Sequence, residues 1–163
     1  MDPNQQPGIL IAQVYLERAQ FSHREDALNL PPTTSWQPTF EVRFQGGVAP
    51  GEKTGFVRIT VQTKAAERPL YNIDLTMIVL LAVDEKRPNL ALRDYVRGTA
   101  PAMLYPFVRE AVAGLTWRGR FGPVWLSPFN VAAVMSQGPG AETAISVGKI
   151  KRARRVKARV GSG

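Results

Sequence analysis

Histidine, cysteine and a glycine-lysine pattern are the features from which this chain could build reactive chemistry, and each is scarce or wrongly placed. His23 is the only histidine. It lies in the polar run Ser22-His23-Arg24-Glu25-Asp26, which reads as a surface loop, so neither a general base nor a metal ligand is expected of it. The chain has no cysteine, which removes a thiolate nucleophile, a thiolate metal site and a disulfide framework together. A serine hydrolase of the elbow type would need G-x-S-x-G, and that pattern is absent from the sequence. The stretch GGVAPGEKT, residues 46–54, comes near a phosphate-binding loop. In that motif glycine immediately precedes lysine, so that backbone amides and the ammonium converge on the same phosphates. Here Glu52 stands between Gly51 and Lys53 and puts a negative charge where a phosphate would lie. A strand pattern follows where a helix is required. No enzyme activity and no cofactor are expected.

Charge offers a different kind of chemistry, and it is unevenly spread. Of 21 basic and 13 acidic residues, seven basic and one acidic lie in residues 138–163, so the tail carries +6 of the formal net charge of +8. The body is close to neutral. The basic residues are Lys149, Lys151, Arg152, Arg154, Arg155, Lys157 and Arg159. Three roles compete for them: a solubilising tail, a contact with nucleic acid or an anionic surface, and a docking segment for an acidic partner. No aromatic residue is interleaved with these charges, so a stacking platform for single strands is not expected.

The elements that must carry any site follow from periodicity. Four segments alternate as half-buried strands do. They are residues 9–21, then Phe40, Val42 and Phe44 against Glu41 and Arg43, then Val57, Ile59 and Val61, then Ile73, Leu75 and Met77. Their connections are a long polar, proline-rich one from His23 to Pro38 and shorter ones from Gly46 to Lys53 and from Lys64 to Pro69. These suit antiparallel pairing, since a parallel crossover needs about a dozen or more residues, usually with a helix. Residues 101–131 then hold a helix, a stop and an extended apolar arm. Leu104, Val108, Ala111 and Leu115 form one stripe, with Arg109, Glu110 and Thr116 pointing elsewhere. Pro106 is tolerated in a first turn, which places the helix start near Leu104. Gly119 ends it, and the proline-bounded PVWLSP reads as an extended segment. Strands first and helix afterwards is the α+β pattern: a four-stranded antiparallel sheet with helices packed on one face. We divide the chain into a flexible N-terminus, residues 1–8, one domain, residues 9–137, and the basic tail, residues 138–163. The start MDPNQQPG lacks the features of a secretory signal. The longest apolar run, residues 77–83, is far below the ~20 residues of a membrane helix, and a cytoplasmic protein is expected.

Several of these pieces resemble the SecB protein-export chaperones in order and spacing. They are Val14-Tyr15 with Phe21, Trp36-Gln37-Pro38, Tyr105-Pro106-Phe107, Arg109-Glu110, Arg118-Gly119 with Phe121, and Pro128-Phe129-Asn130. The likeness covers about residues 9–131 and leaves out the segment after Gln137. It implies a homotetramer, a dimer of dimers, that holds unfolded or nascent polypeptide in apolar grooves without ATP. Phe40, Val42 and Phe44, read from the residues alone as a core face, would by resemblance line a client groove with Val124 and Leu126. Trp36 would either pack the first connection or touch client. The family docks a basic tail of the SecA translocase ATPase on acidic residues of the outer sheet face. The matching positions here are Arg18, Ser22, Asn72 and Asp74, and only Asp74 is acidic. Delivery to SecA is therefore in doubt, which favours a specialised relative such as the chaperones that protect an antitoxin. A different class of function is a basic nucleic-acid-binding regulator acting through the tail.

Overall fold

A computed structural model of the chain describes residues 8–34, 38–64, 69–86, 89–128, 130, 131, 134 and 142–146. The four alternating segments are strands: β1 (Ile9–His23), β2 (Thr39–Val48), β3 (Thr54–Thr63) and β4 (Tyr71–Val83). All neighbours are antiparallel, and β1 and β2 lie on opposite flanks of the β3–β4 pair. The residues expected to alternate do so. Phe40, Val42, Phe44, Val57, Ile59, Val61, Ile73, Leu75 and Met77 are buried on one face. Fully burying each such side chain is worth about 1.5–3 kcal/mol. Between β2 and β3 the near-phosphate-loop sequence is a hairpin: the Ala49 N–H donates to the Thr54 carbonyl and the Glu52 N–H to the Ala49 carbonyl. Gly51 and Glu52 both take positive φ there, and β3 follows directly.

Two helices cover the apolar face. α1 (Leu92–Arg97) packs on β2 and β3, and α2 (Thr99–Thr116) on β3 and β4. Gly46 allows the first of these contacts, since a Cβ there would lie 2.7 Å from Val96 Cγ1. α1 is absent from the sequence reading, because six residues hold too little periodicity to be recognised. The helix start placed near Leu104 also needs correcting, as α2 begins at Thr99 and Pro106 lies inside it. Pro106 lacks the N–H that would reach the Ala102 carbonyl, but both residues are exposed, so water can satisfy that carbonyl and the helix continues. The buried stripe is rotated slightly from the expected one. Leu104, Val108, Val112 and Thr116 face the sheet, with Ala111 and Leu115 at its border.

A fifth strand, β5 (Glu142–Ser146), pairs antiparallel with β2 along the edge away from β3. It arises within the segment that the sequence assigns to the tail. The rest of that tail from residue 147, including the basic residues Lys149 to Arg159, lies outside the described residues, as does Trp36. Among the described residues no helix is long and apolar enough to cross a membrane.

Candidate functional site

The segment after α2 is where a groove would have to be built, and three polar side chains fix its path. The Thr116 hydroxyl donates to the Val112 carbonyl, 2.9 Å, and accepts from the Val124 N–H, 2.8 Å. Arg109 Nε donates to the Leu126 carbonyl and the Tyr105 hydroxyl to the Ser127 carbonyl, each at 2.8 Å. Burial pushes the Tyr105 phenol far above the ordinary tyrosine value, so it remains a neutral donor. An extended strip without sheet partners on both sides leaves peptide groups to satisfy. These side chains answer that need for residues 124–127. Sequence reasoning turns Arg109 and Thr116 away from the helix's working face, yet both are anchors of the arm. Their signal lies in partners 8 and 17 residues ahead, which helical periodicity does not register.

At the turn into the arm, Tyr71 fixes the backbone. Its hydroxyl accepts from the Phe121 N–H, 2.6 Å, and donates to the Gly122 carbonyl, 3.2 Å. Gly119 makes room for that ring, because a Cβ there would lie 2.5 Å from the Tyr71 oxygen. His23 is a correction to the loop reading. It is the last residue of β1, and its ring stands edge-on to Phe21 and Tyr71, with centroids 5.4 and 5.2 Å away. Its Nε2 accepts from the Arg120 N–H, 3.3 Å. The lone histidine therefore helps to hold the turn.

With the arm in place, the residues that resemblance assigns to a groove are core in the single chain. Phe40, Val42, Phe44 and Leu126 have no exposed surface, and Val124 has 5%. All five belong to one apolar cluster with residues of α1 and α2. α1, which packs on β2 and β3, covers part of what the alternating pattern of β2 would otherwise present. The exposed apolar surface lies around them. Trp125, between Val124 and Leu126 on the arm, is 42% exposed; Trp117 at the end of α2 is 66% exposed and Phe107 on α2 48%. Met103 and Phe107 also border an apolar cleft against β1 and β4, lined further by Ile11, Val14, Val79 and Leu81.

One end of the outer sheet face is polar and largely paired with itself, while the other end is an apolar cleft that includes Val48, Phe56, Leu80 and Ala82. Arg18 donates to Asp74 Oδ2 at 3.0 Å, and Gln62 donates to the same oxygen at 3.2 Å. Arg58 bridges to Glu17 at 2.9 Å. Ser22 and Asn72 are register partners of β1 and β4 and are exposed. The four positions compared with the SecA-docking face therefore do lie together. The one carboxylate among them is already engaged by a cation of this chain.

Comparison with known proteins agrees with this architecture. The family model described as preprotein translocase subunit SecB matches residues 2–140. The protein-export protein SecB of Zymomonas mobilis is 28% identical over 141 residues, covering 83% of each chain. That of Albidiferax ferrireducens is 29% identical over 140 residues, covering 84% of this chain and 88% of the relative. Among solved structures, the Mycobacterium tuberculosis Rv1957 SecB-like chaperone, in complex with a ChAD peptide from the Rv1956 HigA1 antitoxin, superposes with a TM-score of 0.57. It is 22% identical, over 74% of this chain and 90% of that one, and it shares the fold. A family match spanning nearly the whole described domain, on a four-stranded antiparallel core sheet roofed by two helices, places this chain in the SecB family.

Proposed function

We propose that this protein is an ATP-independent chaperone that captures unfolded or partly folded polypeptide on apolar surface and holds it for export or for a dedicated partner. The observation that carries the reading is the SecB family match over residues 2–140. Trp117, Trp125 and Phe107 offer large apolar area to an extended chain, and burying it would yield about 25 cal/mol per Å2 without sequence-specific hydrogen bonds. Phe40, Val42, Phe44, Val124 and Leu126 form the inner wall of the groove and become accessible where the arm yields. Trp36 extends it. No step requires a catalytic residue, and capture withdraws client from aggregation by mass action.

The working assembly is a homotetramer, a dimer of dimers, acting in the cytoplasm. In support, β1 ends the sheet on its side and exposes Leu10, Ile11 and Leu16, a long apolar edge that a second copy would cover. A dedicated antitoxin chaperone is the second reading. It is supported by the Rv1957 likeness and by the pairing of Arg18 with Asp74, which leaves little acidic attraction for a basic translocase tail. The basic tail, Lys149 to Arg159, serves as an accessory contact for acidic partners or nucleic acid.

Aggregation of a chemically denatured protein, followed by light scattering without nucleotide, tests the main reading. Suppression at equimolar tetramer is expected; unchanged scattering at large excess would contradict it.

A further inference from the structure

β5 is seated where an extended peptide of any sequence could sit. β2 pairs with β3 on one edge from Phe40 to Val48. Along its other edge the described residues of β5 pair from Thr39 opposite Ser146 to Arg43 opposite Glu142. A sheet edge binds through main-chain N–H and C=O groups, so its affinity for an added strand is broad rather than sequence-selective. That breadth is the property a holder of diverse unfolded chains needs. The edge also runs along the backbone of Phe40 and Val42, two residues of the groove's inner wall, so a strand added there lies beside that wall.

The present occupant is poorly suited to permanence. β5 is five residues long, Glu-Thr-Ala-Ile-Ser, and its substantial contacts are with β2 alone. By contrast β1 pairs with β4 along nearly all of its 15 residues. Short edge strands held by one neighbour open at low free energy. An intramolecular occupant nevertheless competes strongly, because its effective concentration is high.

We propose that the outer edge of β2 is a strand-docking site for extended client polypeptide, and that β5 is its built-in competitor, displaced when client pairs along Thr39–Val48. This rests on the chaperone reading above. Apparent client affinity is then the intrinsic affinity multiplied by the fraction of chains whose edge is free.

The chain has no cysteine of its own, so the double variant Glu41→Cys with Ala144→Cys, at positions opposite one another, introduces the only thiols. Binding of a labelled, permanently unfolded, cysteine-free polypeptide is measured on the oxidised and reduced forms of this one protein. Locking β5 should weaken binding by about tenfold or more, with recovery on reduction, as expected when the edge-free state is removed. Equal affinity in both forms would overturn the proposal. So would intermolecular disulfide dimers in place of an internal link, since β5 would then belong to a neighbouring copy. The converse variant is Thr143→Pro with Ala144→Pro. Consecutive prolines delete one β2-facing N–H whichever phase the ladder has, and tighter client binding is expected. Unchanged or weaker binding would contradict competition. If the wild-type chain and every variant fail to bind, the chaperone reading itself falls.

Discussion

On the inner face of the sheet Phe40, Val42, Phe44, Val57, Ile59 and Val61 are wholly buried beneath two helices and an anchored arm. Across the same strands, on the outer face, Arg18, Asp74, Gln62, Arg58 and Glu17 bind one another near solvent. The alternation that creates one face creates the other, yet the two are satisfied differently. The inner face needs further chain to cover it, and so its residues respond to whatever that chain does. The charged end of the outer face is paired largely within itself, Arg18 with Asp74 and Arg58 with Glu17. Under the proposed function, client binding would depend on the covering elements, whereas on the outer face Asp74 is already paired with Arg18.

The largest test of this contrast is Phe44→Ala. A fully buried phenylalanine in a closed core should cost about 3–5 kcal/mol on truncation, read by chemical denaturation. A loss below about 1 kcal/mol, the range of surface sites, would mean that the inner face is open in solution. Next is Thr116→Val, which keeps the shape of the side chain but strands the buried Val124 N–H. About 1–3 kcal/mol is expected, together with faster amide exchange in residues 124–127. Unchanged exchange would show that the arm does not depend on this hydroxyl.

Alkaline pH sharpens the comparison from the inner side. Burial raises the phenol pKa of Tyr71, Tyr95 and Tyr105. The unfolded chain then releases those protons first, so their contribution is fully present below about pH 10 and is lost as pH rises beyond it. Thermal melting should fall steadily above that point; a flat profile would contradict burial of the three rings. The smallest effect belongs to the outer face. Arg18→Ala should change stability by no more than about 1 kcal/mol while leaving Asp74 without the cation it pairs with. Calorimetry should then detect some gain in affinity for a basic peptide with the charge pattern of a SecA tail, against weak or no binding by the unaltered chain.

How much of this architecture is legible in the sequence depends on how locally each feature is encoded. β1 to β4 announce themselves by alternation within ten to fifteen residues, and the arm by its bounding prolines. Pro106 suggests a first turn and so puts the start of α2 five residues late; only the solvent on that side of the helix explains why a proline is tolerated inside it. α1 is too short to show a period. His23 reads as a loop residue because its partners Tyr71 and Arg120 are about 50 and 100 residues away in sequence. Phe40, Val42 and Phe44 stand between core and groove, since alternation states which side is apolar but not what covers it. β5 is hidden within a segment dominated by its charge, where five residues carry no alternating signal strong enough to stand apart.

The most direct test of the central claim is a titration of a fluorescent, permanently unfolded polypeptide against the full chain and against a chain ending at Gly148, each at low and high salt. Capture by apolar surface predicts similar binding by both, little altered between about 50 and 200 mM salt, a range over which phosphate-type contacts lose several orders of magnitude in affinity. Binding by the full chain alone, and only at low salt, would contradict the account and assign the activity to the basic tail.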